Sequence, residues 1–83
     1  MKNSSFGQWL LTFLDEKGID LEYVLNVPGP SGDNHMPVAC LVDAILQASP
    51  SEQIDIKCMI VRIDYCNGDV VKYLCHLARA IAI

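Results

Sequence analysis

The sequence predicts a mainly α-helical fold, a small four-helix domain with one extended segment or strand near residues 19–27. Three observations predict it. Apolar residues return at helical spacing in four stretches, capping and breaking residues punctuate those stretches, and one segment between the first two alternates with a period of two. The 83 residues suffice for a single domain spanning 1–83. A chain of this size buries roughly 60–65% of its unfolded surface, which leaves a thin stability margin.

The first helix is expected over 5–17, where Phe6, Trp9, Leu10, Phe13 and Leu14 fall on one face. Ser4 or Ser5 supplies its cap, and Gly18 stops it because glycine adopts the left-handed conformation without steric cost. Ile19, Leu21, Tyr23, Leu25 and Val27 then alternate with Asp20, Glu22, Val24 and Asn26, a strand pattern. A helix is the alternative, since Leu21, Val24 and Leu25 also share one turn spacing. No second alternating segment is evident, so pairing with a symmetry mate in a dimer is the natural way to satisfy the strand backbone. Residues 28–36 read as an irregular loop broken by Pro28, Gly29, Pro30 and Gly32.

Pro37 suits the first turn of a second helix, 37–48, with Asn34 or His35 near enough to cap it. Val38, Leu41, Val42, Ile45 and Leu46 form its buried stripe, and Asp43 and Gln47 face out. The third helix, 50–64, opens on a capping box of Ser49 and Glu52, with Pro50 at the first helical position. It carries two apolar faces, Ile56, Met59, Ile60 and Ile63 on one and Ile54, Cys58 and Val61 on the other. Such a helix is either central in its domain or shared between core and interface. Asn67-Gly68 ends it and Asp69 caps a fourth helix, 69–82. There Val70, Leu74, Leu77, Ala78 and Ile81 point inward, while Lys72, His76 and Arg79 mark the solvated face. Short connections make helices two to four antiparallel neighbours. The apolar ending Ile81-Ala82-Ile83 is expected to pack down.

Ten acidic against six basic residues give a net charge of −4. Without a lysine and arginine stripe to neutralise phosphates, direct nucleic-acid binding is not expected. The opening Met1-Lys2-Asn3-Ser4-Ser5 is unlike a secretory leader, and no apolar run approaches the ~20 residues of a membrane span. Cys40, Cys58, Cys66 and Cys75 make no C-x-x-C pair. A reduced, cytoplasmic protein with mostly buried thiols and no membrane contact is the expectation.

Constellations with chemical potential are sparse. Cys75 and His76 are neighbours, but consecutive helical residues point about 100° apart and cannot act as nucleophile and base together. They read as core filler and surface residue. His35, Cys40, Cys66, Cys75 and His76 lack the short ligand spacings of a structural zinc site, so no metal and no cofactor is assigned. Asp33 and His35 could act as acid and base in an enzyme, although turn chemistry and a helix start account for both. Cys66 is the thiol expected at the surface, with nothing near it in sequence basic enough to activate it.

The stronger feature is a surplus of large apolar groups, 52% of the chain being hydrophobic. Trp9, Tyr23, Ile54, Cys58 and Val61 are therefore the candidate partner-binding residues, and no catalytic residue is assigned. The function expected is a small non-enzymatic interaction module, an adaptor or inhibitor of a larger protein. Small acidic inhibitors encoded by mobile elements share this profile, an analogy only. Two alternatives stand beside it: a small enzyme or ligand-binding protein using the Asp33–His35 loop, and a structural homodimer subunit.

Overall fold

A computed structural model describes residues 5–82, in the order α1 (Ser5–Glu16), β1 (Val24–Gly29), β2 (Gly32–Pro37), α2 (Val38–Leu46), α3 (Pro50–Tyr65) and α4 (Val70–Ile81). The fold is mainly α, with a small antiparallel hairpin added to the four helices. Ser4 and Ile83, assigned above to a cap and a packed terminus, lie outside the described residues.

The helix ends follow local chemistry. After α1, Gly18 N–H donates to Asp15 O at 3.1 Å and Ile19 N–H to Leu14 O at 2.9 Å, with Gly18 at φ +71°. These paired bonds form a Schellman cap, in which glycine takes the left-handed position without a Cβ clash. The end of α3 repeats the motif with Asn67 at φ +58° in that position, its N–H reaching Asp64 O and Gly68 N–H reaching Ile63 O. A Cβ on Gly68 would sit 2.9 Å from Ile63 Cγ2 and 3.2 Å from Ile63 O, so the chain turns there only because glycine follows. The capping box of Ser49 and Glu52 is present, and Asp69 accepts the Lys72 N–H at the start of α4.

The region 19–36 departs most from expectation. The strand begins at Val24, and only Leu25 and Val27 of the alternating set are fully buried; Leu21 and Tyr23 stand exposed in the irregular stretch before it. The expected loop is instead the turn and second strand of a hairpin, with Val24 opposite Pro37, Asn26 opposite His35 and Gly29 opposite Gly32. The strand thus finds its pairing partner within the chain rather than in a symmetry mate. Pro30 fixes φ in the two-residue turn, and Gly32 at φ +126° adopts a conformation that L side chains rarely reach. β2 lacks an apolar face, so its strand character comes from pairing rather than burial.

Asn34 and His35 belong to this strand and do not cap α2; Pro37 is the N-cap and makes no side-chain cap bond. The opening turn of α2 is satisfied by backbone, Val38 N–H donating to Tyr23 O at 2.8 Å and Ala39 N–H to Leu21 O at 2.9 Å. At its other end Gln53 Nε2 donates to Ile45 O, which also accepts the Ala48 N–H, and to Leu46 O, at 3.2 and 3.1 Å, tying α3 to the last carbonyls of α2.

The central helix is α4 rather than α3. β1, α2 and α3 pack on it, and α1 packs on α3. The core joins Leu10, Phe13 and Leu14 of α1, Leu25 and Val27 of β1, and Val38, Leu41, Val42 and Ile45 of α2 to Ile56 and Ile60 of α3 and Val70, Leu74 and Ala78 of α4. Among the described residues it contains no buried polar side chain. Leu46, Met59 and Ile81, expected within buried stripes, reach the surface because they fall at the stripe edges. The expectation of mostly buried thiols is also corrected: Cys40, Cys58 and Cys66 are exposed and Cys75 is half-buried.

Candidate protein-interaction surface

α3 lies across the outside of the fold, and its capping box fixes where its helical phase begins. Ile56 and Ile60 consequently face the core, with Ile63 half-buried beside them. Helix α1 covers one flank. There Lys57 Nζ lies 5.1 Å from the centroid of the Trp9 ring, and Lys17 Nζ contacts Asp64 Oδ1 at 2.7 Å. Phe6, Trp9 and Phe13 continue as an aromatic ladder with centroids 5.9 and 5.5 Å apart. On the other flank Tyr73 of α4 has its pKa raised, first by burial of its phenol and then by the negative charge of Asp55.

Between these flanks a ridge of apolar side chains faces solvent. Ile54 is 63% exposed, Val61 48% and Tyr65 88%, and Cys58 is exposed between them. Steps of four, three and four residues keep all of them on one side of the helix. A shallow depression of about 430 Å³ runs along this ridge, lined by Lys57, Cys58, Val61, Arg62 and Tyr65.

The structure therefore gathers Ile54, Cys58 and Val61 into one surface. Tyr65, one residue past the helix expected over 50–64, is the last residue of α3 and completes it; extending the Ile54 stripe by one more step finds it. Trp9 borders the ridge through Lys57 but is half-buried against the core. Tyr23 is exposed on a different element, in the segment leading into β1.

Asp33 and His35 stand exposed on β2, where a long contact of 3.5 Å from Asn26 Nδ2 is the polar neighbour of Asp33. Neither lines the α3 depression or the two others described here. One of those, about 290 Å³ between β1 and α4, is lined by Asn26, Pro28, Lys72, Cys75, His76 and Arg79. The other, about 240 Å³, lies where α1 meets the segment 19–21 and is bordered by Leu11, Leu14 and Leu21 with Asp15 and Asp20. Cys66 is the exposed C-cap of α3. Among the described residues no group of three His, Cys, Asp or Glu side chains is placed to hold a metal ion, and no helix is long and apolar enough to cross a membrane. Compared with protein-family models, with curated proteins and with solved structures, the chain matches none.

Proposed function

We propose that the protein is a small non-enzymatic interaction module, an adaptor or inhibitor that docks on protein through the outer face of α3. The observation that supports this reading is the ridge itself: Ile54, Cys58, Val61 and Tyr65 are aligned and exposed on a helix whose opposite face already supplies the core. Of these, Tyr65 is of the kind that most often anchors a protein interface, and the smaller apolar side chains beside it exclude water. The net charge of −4 disfavours a nucleic-acid backbone as the partner. The exposed, unpaired thiols of Cys40, Cys58 and Cys66 suit a reducing, cytoplasmic compartment.

The experiment uses differently tagged copies of the full chain expressed in one host, with capture through one tag. Wild type should bring down a stoichiometric protein, either the second tagged copy or a larger partner. Val61→Glu should abolish that capture while far-UV circular dichroism stays unchanged, and Asp33→Ala with His35→Ala should leave it intact. Capture that survives Val61→Glu and Ile54→Glu sinks the reading. The groove of Lys72, His76 and Arg79, with no acidic residue in its lining, supports a second reading as a binder of small anions. Titration with inorganic phosphate, followed by amide shifts around α4 and lost in Lys72→Glu with Arg79→Glu, tests it.

A further inference from the structure

The order of side chains along α3 identifies what the ridge fits. Written as a heptad, Ile54 and Val61 occupy d, Cys58 and Tyr65 a, Asp55 and Arg62 e, and Lys57 and Asp64 g. The buried Ile56 and Ile60 and the half-buried Ile63 take f and c, the positions away from an a/d seam, so seam and core do not compete for the same residues.

We infer that the partner of this surface is a second copy of the chain, with α3 packed antiparallel on α3 across a twofold axis. The inference rests on the docking reading above and names its occupant. A twofold axis crossing the helix between Met59 and Ile60 places Ile54 against the partner's Tyr65 and Cys58 against the partner's Val61. Small thiols and valines then fill the centre, and the larger side chains close the two ends.

Charge decides the direction. In an antiparallel pair e residues meet e and g residues meet g. Asp55 then faces the partner's Arg62, Arg62 faces the partner's Asp55, and Lys57 and Asp64 are matched in the same way. In a parallel pair g meets e, and Lys57 would oppose the partner's Arg62. The e side is the less committed one: Asp55 and Arg62 are exposed and Asp55 lies near the Tyr73 phenol, whereas Lys57 lies over Trp9 and Asp64 is bonded to Lys17 within the chain. Orientation therefore rests on Asp55 and Arg62. The symmetry closes on itself, because every contact made by one copy is returned by the other. One helix pair offers roughly 1,000 Å² of total burial, at the low end for specific association, so a dissociation constant in the micromolar range is expected.

The test is sedimentation velocity of the full chain from about 1 µM to 1 mM, with charge exchange across the e positions. Wild type should pass from monomer to dimer within that range. Asp55→Arg or Arg62→Asp alone should each weaken the dimer about three- to tenfold, and the double exchange should restore it to within about twofold. Val61→Glu should weaken it roughly a hundredfold. Mixing Ile54→Cys copies with Tyr65→Cys copies under mild oxidation should give a 54–65 disulfide, mapped by mass spectrometry. A monomer throughout the range, or a dimer in which the double exchange is no better than the single changes and 54–65 links do not form, overturns the inference. If the chain is monomeric yet a different protein is captured in a Val61-dependent way, docking through α3 survives and only the second copy fails. If Val61→Glu alters neither self-association nor capture, the docking reading fails with it.

Discussion

Two isoleucines of α3 provide a direct comparison between core and ridge. Ile60 is 0% exposed and Ile54 63%, on the same helix and six residues apart. Truncating a fully buried isoleucine to alanine costs about 2–5 kcal/mol, transfer and cavity combined. At about 0.05–0.15 kcal/mol per residue, the whole fold is stable by only ~4–12 kcal/mol. Ile60→Ala therefore removes a large share of the stability, and Ile60→Val, at about 0.5–1.5 kcal/mol, keeps the comparison measurable if the alanine variant does not fold. Only about a third of the Ile54 side chain is withdrawn from water, so its loss is worth under ~1 kcal/mol. Alanine returns some tenths of a kcal/mol through its better helix propensity. The expected net change for Ile54→Ala is within about 0.5 kcal/mol of zero. Urea unfolding followed by circular dichroism at a few micromolar measures both. At several hundred micromolar wild type should gain stability from association by mass action, and Ile54→Ala should gain less. An Ile54→Ala cost equal to that of Ile60→Ala at the lower concentration would show that the ridge is packed within the folded chain, and the docking surface would be lost with it.

Other consequences are local. Gly68→Ala should destabilise by about 1–3 kcal/mol in chemical denaturation, because its Cβ meets both Cγ2 and the carbonyl oxygen of Ile63. Ser49→Ala should cost about 1 kcal/mol, since Ser49 Oγ accepts the Glu52 N–H at 3.3 Å and Glu52 Oε1 accepts the Ser49 N–H at 3.0 Å; an unchanged urea midpoint would contradict the capping box. Tyr73 titrates above its ordinary value of 10.0. Between that value and the raised one the folded chain keeps a proton that the unfolded chain has lost. Stability present below the ordinary value should therefore decline as pH rises through the raised one. Tyr73→Phe should remove that part of the decline, read from urea midpoints across the alkaline range.

The helices were legible because their signals are local. A capping box, a glycine stop and an i, i+3, i+4 stripe are each written within a few residues, and α1, α3 and α4 begin and end close to those marks. The hairpin was not legible for the opposite reason. Gly32-Asp33-Asn34-His35-Met36-Pro37 has neither β-branched residues nor apolar alternation, and it is held extended by pairing across Pro30-Ser31. The start of α2 was misread for a related reason, because its N–H groups are satisfied by the distant carbonyls of Leu21 and Tyr23 rather than by a neighbouring side chain. Of the candidate surface, Ile54, Cys58 and Val61 could be picked out by their position on the helical wheel. Tyr65 lies one residue beyond the helix end that Asn67-Gly68 suggests, and Trp9 is half-buried because it packs against the core with Lys57 of α3 over its ring, an arrangement that no local signal encodes.

The ridge gains little inside the folded chain. Isoleucine, valine, cysteine and tyrosine all rank below alanine, lysine and glutamate as helix formers, and across four positions the difference from alanine amounts to about 2 kcal/mol. Exposed as they are, these side chains recover little of that through burial. The outer side of α4 shows the usual alternative in the same protein, with Lys72, His76 and Arg79 in the solvent-facing places. An exposed apolar stripe also raises the risk of aggregation. On the docking reading proposed above, its compensation comes from contact outside the chain. Random stickiness would require only that the ridge be apolar. The flanking order of Asp55 and Lys57 before the midpoint, and Arg62 and Asp64 after it, adds a constraint that a merely sticky helix does not need. Opposite charges fall at matching positions when the helix meets an inverted copy of itself, and like charges meet when it is aligned in parallel. That directional preference separates association with a second copy from adhesion to any apolar surface, and exchanging the charges at 55 and 62 tests it without touching the apolar ridge.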